Sequence, residues 1–248
     1  MNTFIKKIQS NILLTIFTAL FAGIIVLIGS KFLSQITIPF IEESFNLSFY
    51  TKNSISKLYM LILTILLILI INNGSLKNYG FSKPKNIKYV KMMLITIGIT
   101  TGAFIFGMFL FTGILNHIFP AENTTGFPEQ KSLIEMILTV WIWSSICEEV
   151  LVRGLIQSFM QHFKSIKFLG LSLPVLISGL FFGTMHLSLL FEGMGHWFVC
   201  SIVFFTTTIG LLAAYYREKS DSIIPAVIIH FTANFVGSIP LIITLIIA

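Results

Sequence analysis

Two adjacent carboxylates, Glu148 and Glu149, lie inside a hydrophobic run of the chain, and Arg153 follows in the same run. A charged side chain at bilayer depth costs at least about 2.5 kcal/mol on insertion scales, so such residues are candidates for function. Glu149 and Arg153 are spaced to share one helical face, and because arginine keeps its proton we expect Glu149 to be its counter-ion. Glu148 is rotated by about 100° from Glu149 and remains available for chemistry.

Two further polar pairs occur on later hydrophobic runs, Phe182 with His186 and His230 with Asn234. A neutral imidazole can accept a proton or bind a metal. Histidine and asparagine can also donate hydrogen bonds to a developing oxyanion, each worth roughly 3–4 kcal/mol in a dry site. A carboxylate and a histidine on neighbouring helices could activate a water molecule. The combination indicates a hydrolytic site, although a single histidine in a transmembrane helix is more often an interhelical hydrogen-bond partner than a catalyst.

The same residues leave the question of a metal open. Glu148, His186 and His230 form a set that could hold Zn²⁺ and leave its fourth position for water. A glutamate and a histidine can also activate water directly, without a metal. We favour the metal-free route and keep zinc as the alternative cofactor.

The composition fixes the class of fold. Hydrophobic residues make up 55% of the 248 residues and charged residues 10%, against about 25% charged in an ordinary soluble domain. We therefore predict an all-α polytopic transmembrane bundle of seven to eight helices. The net charge of +6 comes almost wholly from lysine, and no basic patch is interleaved with aromatic residues. We expect the lipid bilayer as a partner and no nucleic acid.

The elements that must position the polar residues follow from the hydrophobic runs. Runs that approach or exceed the roughly 20 residues of a membrane span fall at 12–33, 55–72, 90–115, 132–158, 168–187, 197–216 and 222–248. Gly237 and Pro240 interrupt the last run, which is therefore one kinked span or two short helices. Pro174 predicts a kink or a delayed start in the fifth span.

The loops alternate in lysine content. Residues 73–91 carry five lysines, and 159–167 and 217–221 are also basic, whereas 116–131 and 187–196 are poor in lysine. Positive residues concentrate on the cytoplasmic side. The alternation predicts a multi-pass protein with a cytoplasmic N-terminus.

The predicted spans do not place the three motif residues at the same depth in the membrane. If the fourth span begins near Ser132, Glu148 lies about 24 Å along it, and His230 lies about 10 Å from the start of its own segment, both towards the same end. His186 falls near the opposite end of a span that begins at residue 168. Tilt, or a deeper start of the fourth helix, would bring the three together.

Three motifs in order carry a resemblance to a known family. The sequences Glu-Glu-x-x-x-Arg at 148–153, Phe-x-x-x-His at 182–186 and His-x-x-x-Asn at 230–234 resemble those of the CPBP intramembrane proteases. That family includes the type II CAAX prenyl endopeptidases and the bacterial bacteriocin-processing and immunity proteins, also called the Abi family. The resemblance covers about residues 130–240. It divides one integral membrane domain into N-terminal transmembrane helices at 1–129 and a protease core at 130–248.

The resemblance implies a role for each motif residue. Glu148 and His186 would activate the attacking water, and His230 with Asn234 would form the oxyanion hole. Glu149, Arg153 and Phe182 would support the site. Such chains usually carry the label of metallopeptidase, which the resemblance itself does not decide.

We therefore expect an intramembrane endopeptidase acting on a small peptide precursor, such as a bacteriocin or pheromone precursor, or on a membrane-associated protein. The bias towards lysine, asparagine and isoleucine suggests an AT-rich bacterial genome and hence the plasma membrane. Two alternatives remain. One is a non-enzymatic immunity or scaffold protein that retains the fold. The other is a proton-coupled transporter that uses Glu148 and the histidines as a relay, although the chain lacks the inverted repeats typical of transporters.

Overall fold

The computed structural model describes residues 3–121, 126–127 and 132–247. Within these ranges the chain forms nine helices and one short hairpin. The helices are α1 (Thr3–Gln9), α2 (Ile12–Glu42), α3 (Phe49–Ile71), α4 (Tyr89–Ile118), α5 (residues 133–157), α6 (Leu173–Glu192), α7 (His196–Ser220), α8 (Ile224–Gly237) and α9 (Ile239–Ile247). The strands β1 (Lys167–Phe168) and β2 (Leu171–Ser172) pair antiparallel between α5 and α6.

Five of the helices, α2, α3, α4, α6 and α7, are long and apolar enough to cross a membrane. Helix α5 is as long as these, but its glutamates and arginine make it more polar. Large apolar side chains remain exposed along α2, such as Phe17 at 65% and Ile28 at 65%, as expected of a surface that faces lipid. The prediction of an all-α polytopic bundle is confirmed. The first predicted run was too short, because the helix continues from residue 33 to Glu42.

Two stretches of α5, Ile137–Ser144 and Val150–Gln157, are π-helical. Side-chain hydrogen bonds in these stretches also span the wider turn. Ser144 Oγ donates to Thr139 O at 3.0 Å and Ser158 Oγ donates to Arg153 O at 2.9 Å, each five residues back. Short π-helical segments are rare and occur frequently at functional sites. These two flank the paired glutamates.

The fifth span has the delayed start that is one of the two alternatives predicted from Pro174. Residues 168–172, assigned from the sequence to the start of the span, belong instead to the hairpin β1–β2, which begins at Lys167. Leu169 and Gly170, at its tip, both have positive φ, of 50° and 81°, which is the backbone of a tight two-residue turn. Helix α6 starts only at Leu173, capped by Ser172, whose Oγ accepts from Val175 N. Pro174 lies in its first turn, where the missing N–H is tolerated.

The last hydrophobic run forms two short helices, α8 and α9. Ser238 separates them, and its N–H bonds to Asn234 O at 3.0 Å. Pro240 falls in the first turn of α9, where proline does not interrupt a helical hydrogen bond. The alternative of one kinked span is therefore not what the chain adopts.

Helix α5 is the centre of the bundle, and every residue from 147 to 160 is buried. The largest apolar cluster joins this helix to α2, α3 and α6, and includes Ile68, Leu151, Ile156 and Phe182. A second cluster joins α4, α7 and α8. The first cluster mixes residues from both sides of the division predicted at 129/130. That division itself lies outside the described residues and stays a prediction.

Helices α6 and α7 approach each other most closely, because glycines line their interface. A Cβ atom on Gly183 would lie 1.8 Å from Thr207 Oγ1, and one on Gly210 would lie 2.9 Å from Gly179 O. Small residues at helix contacts allow this spacing in membranes. The close approach brings the backbone of α7 to the polar residues of α5.

The basic loops gather at one end of the bundle. Gln9 Nε2 donates to Phe159 O at 3.0 Å, linking α1 to the end of α5. Lys85 N donates to Ser220 O at 3.0 Å, linking the loop after α3 to the end of α7. Lys31 and Glu192, near the opposite ends of α2 and α6, form an ion pair of 2.8 Å at the other end. The arrangement agrees with the predicted alternation of loops.

Candidate active site

The buried ion pair of Glu149 and Arg153 ties three helices together. Both side chains are fully buried, and Arg153 Nε lies 3.1 Å from Glu149 Oε2. Arg153 also donates to Gly210 O of α7 at 2.7 Å, and its guanidinium carbon lies 4.6 Å from the ring centroid of Phe182 on α6. A charge at this depth needs such partners. The pair predicted from the spacing in α5 is present and is shared with α6 and α7.

His230 of α8 lies between the two glutamates. Its Nδ1 is 3.1 Å from Glu149 Oε1, and its Nε2 is 4.0 Å from Glu148 Oε2. A carboxylate only accepts, so Nδ1 carries the proton towards Glu149. The neutral ring then presents a lone pair at Nε2, and Nε2 bears a proton only when the ring is an imidazolium.

Glu148 has one oxygen engaged and one free. Oε1 forms an ion pair with the ammonium of Lys57 on α3. Oε2 is buried with no hydrogen-bond partner among the described residues. The 4.0 Å between this oxygen and His230 Nε2 exceeds a direct hydrogen bond, and a water molecule can bridge such a gap. This carboxylate oxygen is therefore available to accept a hydrogen bond from a bound water.

Lys57 was not among the residues predicted from the sequence. A signal for it was present, because Lys57 is a charged residue within the hydrophobic run 55–72, the same feature that drew attention to Glu148. Helix α3 is fixed beside α5 by Trp143 Nε1, which donates to Ser54 O at 3.0 Å, and by Thr51 Oγ1, which donates to Glu135 at 2.8 Å. The first half of the chain therefore supplies a charge to the site.

His186 lies on the other side of the cluster, half-buried at the end of the α-helical part of α6. Its Nδ1 is 2.8 Å from Phe182 O, one turn back in the same helix, so this nitrogen carries the proton and Nε2 is left as an acceptor. The Phe182 ring lies 5.3 Å from the His186 ring and 5.0 Å from the His230 ring. Through these two ring contacts Phe182 brings His186 and His230 to one cluster, although α5 starts where predicted.

Asn234 is occupied at the edge of the cluster. Its Nδ2 donates to Val140 O at 2.9 Å and to Ser145 Oγ at 3.2 Å, both on α5. An amide nitrogen has two hydrogens, so Asn234 must release one of these bonds to donate to an oxyanion. Its role as an oxyanion donor stays a prediction.

The arrangement does not fit a bound zinc ion. Among the residues that the structure describes, no group of three or more His, Cys, Asp or Glu is placed to hold a metal. Glu148 Oε1 faces an ammonium and His230 Nδ1 faces Glu149. Zinc would need Glu148, His186 and His230 to converge on one point with neutral imidazoles and an unshared carboxylate.

The fold and the site together define a multi-pass, all-α membrane protein with a buried glutamate and histidine cluster. Residues 130–236 match the family model of the Rce1-like type II CAAX prenyl endopeptidases. The matched segment contains α5 to most of α8 and every motif residue, and it confirms the resemblance to the CPBP and CAAX proteases. No curated protein and no solved structure matches the chain. The family match supports an intramembrane protease.

Proposed function

We propose that this protein is an intramembrane endopeptidase in which Glu148 is the general base. The observation that carries the proposal is the buried, unpaired Oε2 of Glu148, 4.0 Å from His230 Nε2. A buried carboxylate oxygen without a partner costs free energy, and a water molecule that donates to it would satisfy it. Because Nδ1 of His186 donates to Phe182 O, its Nε2 is an acceptor, and its ring packs against the Phe182 ring that also contacts His230.

Glu148 and His186 can supply the proton transfers that hydrolysis of a peptide bond requires. A water bound between Glu148 Oε2 and His186 Nε2 gives a proton to Glu148 as its oxygen attacks the carbonyl carbon of the scissile bond. The electron pair of the C=O bond moves to its oxygen. When that oxyanion collapses, the C–N bond breaks, and Glu148 gives its proton to the leaving nitrogen. The carboxylate is then regenerated.

Charge balance assigns a role to Lys57 and sets a condition on that of His230. Two cations, Lys57 and Arg153, face two anions, Glu148 and Glu149, so the resting cluster is neutral with a neutral His230. The proton taken from water neutralises Glu148 as the oxyanion forms, so the net charge of the cluster does not change. His230 donates to the oxyanion from Nε2 only as an imidazolium, which requires one further proton from solvent, and Glu149 would then stabilise that charge through Nδ1. Lys57 keeps Glu148 ionised at bilayer depth and acts as a positioning residue.

We further propose a bacterial plasma membrane protein with a cytoplasmic N-terminus, acting on a small peptide precursor or a membrane-associated protein. The lysine-rich loops at one end of the bundle support this orientation. The substrate class follows from the resemblance and from a site that lies within the hydrophobic part of the bundle, where only a membrane-bound or membrane-partitioning chain reaches it.

The test compares peptides released and retained by cells that express the wild type, Glu148→Gln or His186→Ala. Glu192→Gln is the matched control, because it removes a carboxylate from a partly exposed ion pair at one end of the bundle. We expect a precursor to accumulate uncleaved in both site variants and not in the control. Complete processing by both site variants at normal abundance would contradict the proposal and favour a non-enzymatic immunity or scaffold role. A flux that depends on a pH gradient in proteoliposomes would favour a transporter.

A further inference from the structure

A polar cavity of about 470 Å³ lies at the lysine-rich end of the bundle. Its walls come from α1, from the segment after α3 and from the residues that follow α5, and they include Gln9, Tyr79, Ser158 and Gln161. Residue 158 is ten positions beyond Glu148 on α5, about 15 Å along the helix. The cavity is therefore separate from the glutamate and histidine cluster.

Several polar atoms around this cavity have no hydrogen-bond partner within the described part of the chain. Gln9 is 8% exposed, and its Oε1 is one of these atoms, as is Nε2 of Gln161. Burial raises the pKa of Tyr79 to about 12, so its hydroxyl remains a donor. Native proteins seldom leave such groups unsatisfied. An occupant that accepts hydrogen bonds would satisfy the donors Tyr79 and Gln161, whereas Gln9 Oε1 needs a donor such as water.

A buried cation, Arg217, contacts the wall of the cavity from the side away from the cavity. Arg217 is 3% exposed and donates to Ser158 Oγ at 2.6 Å, while its Nε has no partner. No carboxylate lies within ion-pair distance of it among the residues that the structure describes. The nearby acids are engaged elsewhere, Glu218 by Ser172 at 2.6 Å and Asp221 by Lys85 at 3.7 Å. An unpaired buried guanidinium is unfavourable, and an anion would compensate it.

The surroundings favour an anion that comes from the membrane surface. Exposed lysines occur in each segment that forms the walls, namely Lys6, Lys7, Lys77 and Lys164. Basic pockets at helix ends on the cytoplasmic side bind anionic lipid head groups. The segment after α3 also lies close to Arg217, since a Cβ built on Gly80 would be 3.6 Å from Arg217 Nε.

We propose that this cavity binds a phosphate group, with Tyr79 and Gln161 as donors and with Arg217, which lies behind Ser158, supplying positive charge by its proximity. The ligand class is a phosphate ester or phosphate anion, carried by an anionic phospholipid or free in solution. The site is independent of the proposed peptidase activity, and its occupancy is measured without any substrate.

The experiment uses the full chain in nanodiscs of phosphatidylcholine alone, or of phosphatidylcholine with phosphatidylglycerol. A third arm titrates inorganic phosphate into the protein in detergent. The readouts are the unfolding midpoint and the bound lipids counted by native mass spectrometry. The variants are Tyr79→Phe, Gln161→Leu and Arg217→Gln, with Tyr89→Phe as the control, because Tyr89 is 40% exposed at the start of α4. None of the variants removes a surface lysine.

We expect phosphatidylglycerol to raise the midpoint of the wild type and of Tyr89→Phe. Tyr79→Phe and Gln161→Leu should bind it about tenfold more weakly, the effect of one lost hydrogen bond to a charged group. These two variants keep the proposal testable if Arg217→Gln does not fold. Stabilisation by inorganic phosphate, with no further effect of phosphatidylglycerol, assigns the site to a soluble anion. Equal lipid binding by wild type and all variants would mean that surface lysines alone attract the lipid, and would overturn the proposal, as would no response to either ligand.

Discussion

Arg153 connects α5 to two neighbouring helices. It is fully buried and is held by Glu149, Gly210 O and the face of Phe182. Arg153→Leu should destabilise the protein by about 3–5 kcal/mol, because it leaves Glu149 as an uncompensated buried charge. The double variant Glu149→Gln/Arg153→Leu should recover part of this loss. The measurement is the free energy of unfolding in mixed detergent micelles.

Lys31→Ala is the control for this prediction. Lys31 is 57% exposed in its ion pair with Glu192, so its loss should cost at most about 1 kcal/mol. If Arg153→Leu were no more harmful than Lys31→Ala, the pair in α5 would not be ionised.

Lys57 offers a second prediction at the scale of single residues. Lys57→Met should lower kcat by about tenfold or more and leave KM nearly unchanged, because Glu148 loses the ammonium that orients and ionises it while the substrate contacts remain. Lys57→Arg should restore most of the rate. Lys52→Met is the control on the same helix, since Lys52 pairs with Glu42 near the end of the bundle. A rise in KM alone, or no rescue by arginine, would argue against the positioning role.

The sequence predicted local relations between residues better than distant ones. Glu149 and Arg153 could be paired in advance because helix geometry alone places them on one face. The contact of Lys57 with Glu148 depends on the packing of α3 against α5, across 91 positions of sequence, and no local rule specifies it. The bonds that occupy Asn234 depend in the same way on the packing of α8 against α5.

At the scale of helices, the contact of α6 with α7 gives a clear test. Gly183→Ala should destabilise the protein by roughly 1–3 kcal/mol, because a Cβ would overlap Thr207 and separate the helices that hold Phe182 and Arg153 in place. Gly98→Ala is the control, because nothing lies within 4 Å of a Cβ there. It should be neutral or slightly stabilising. The measurement is the unfolding midpoint of each purified variant. Equal midpoints for Gly183→Ala and Gly98→Ala would contradict the close packing of α6 against α7.

Hydropathy predicted the helices well and their ends less well. The run 168–187 is apolar from its start, so hydropathy alone could not separate the hairpin from the helix. The start was readable instead from local turn chemistry, in Gly170 at positive φ, Ser172 as a cap and Pro174 in the first turn. The π-helical stretches of α5 carry no comparable signal in the local sequence.

At the scale of the whole molecule, the two ends of the bundle should lie on opposite sides of the membrane. In a Cys200→Ala background, an impermeant maleimide should label Glu192→Cys in intact spheroplasts and Lys77→Cys only after lysis, because lysine-rich loops remain cytoplasmic. Both positions are exposed. Cys147 is fully buried and should stay silent. The reverse labelling pattern would invert the proposed orientation.

The ion pair between Lys57 and Glu148 joins a segment that the family match does not cover to one that it does. Consider a chimera that keeps residues 130–236 and takes its first three helices from a donor chain with an apolar residue in place of Lys57. It would carry every motif, but the charge of Glu148 would be uncompensated in lipid. The motif-bearing segment alone would therefore not transfer the proposed site, because Lys57 lies outside that segment. Relatives are best sorted by whether a basic residue faces Glu148 from the third helix.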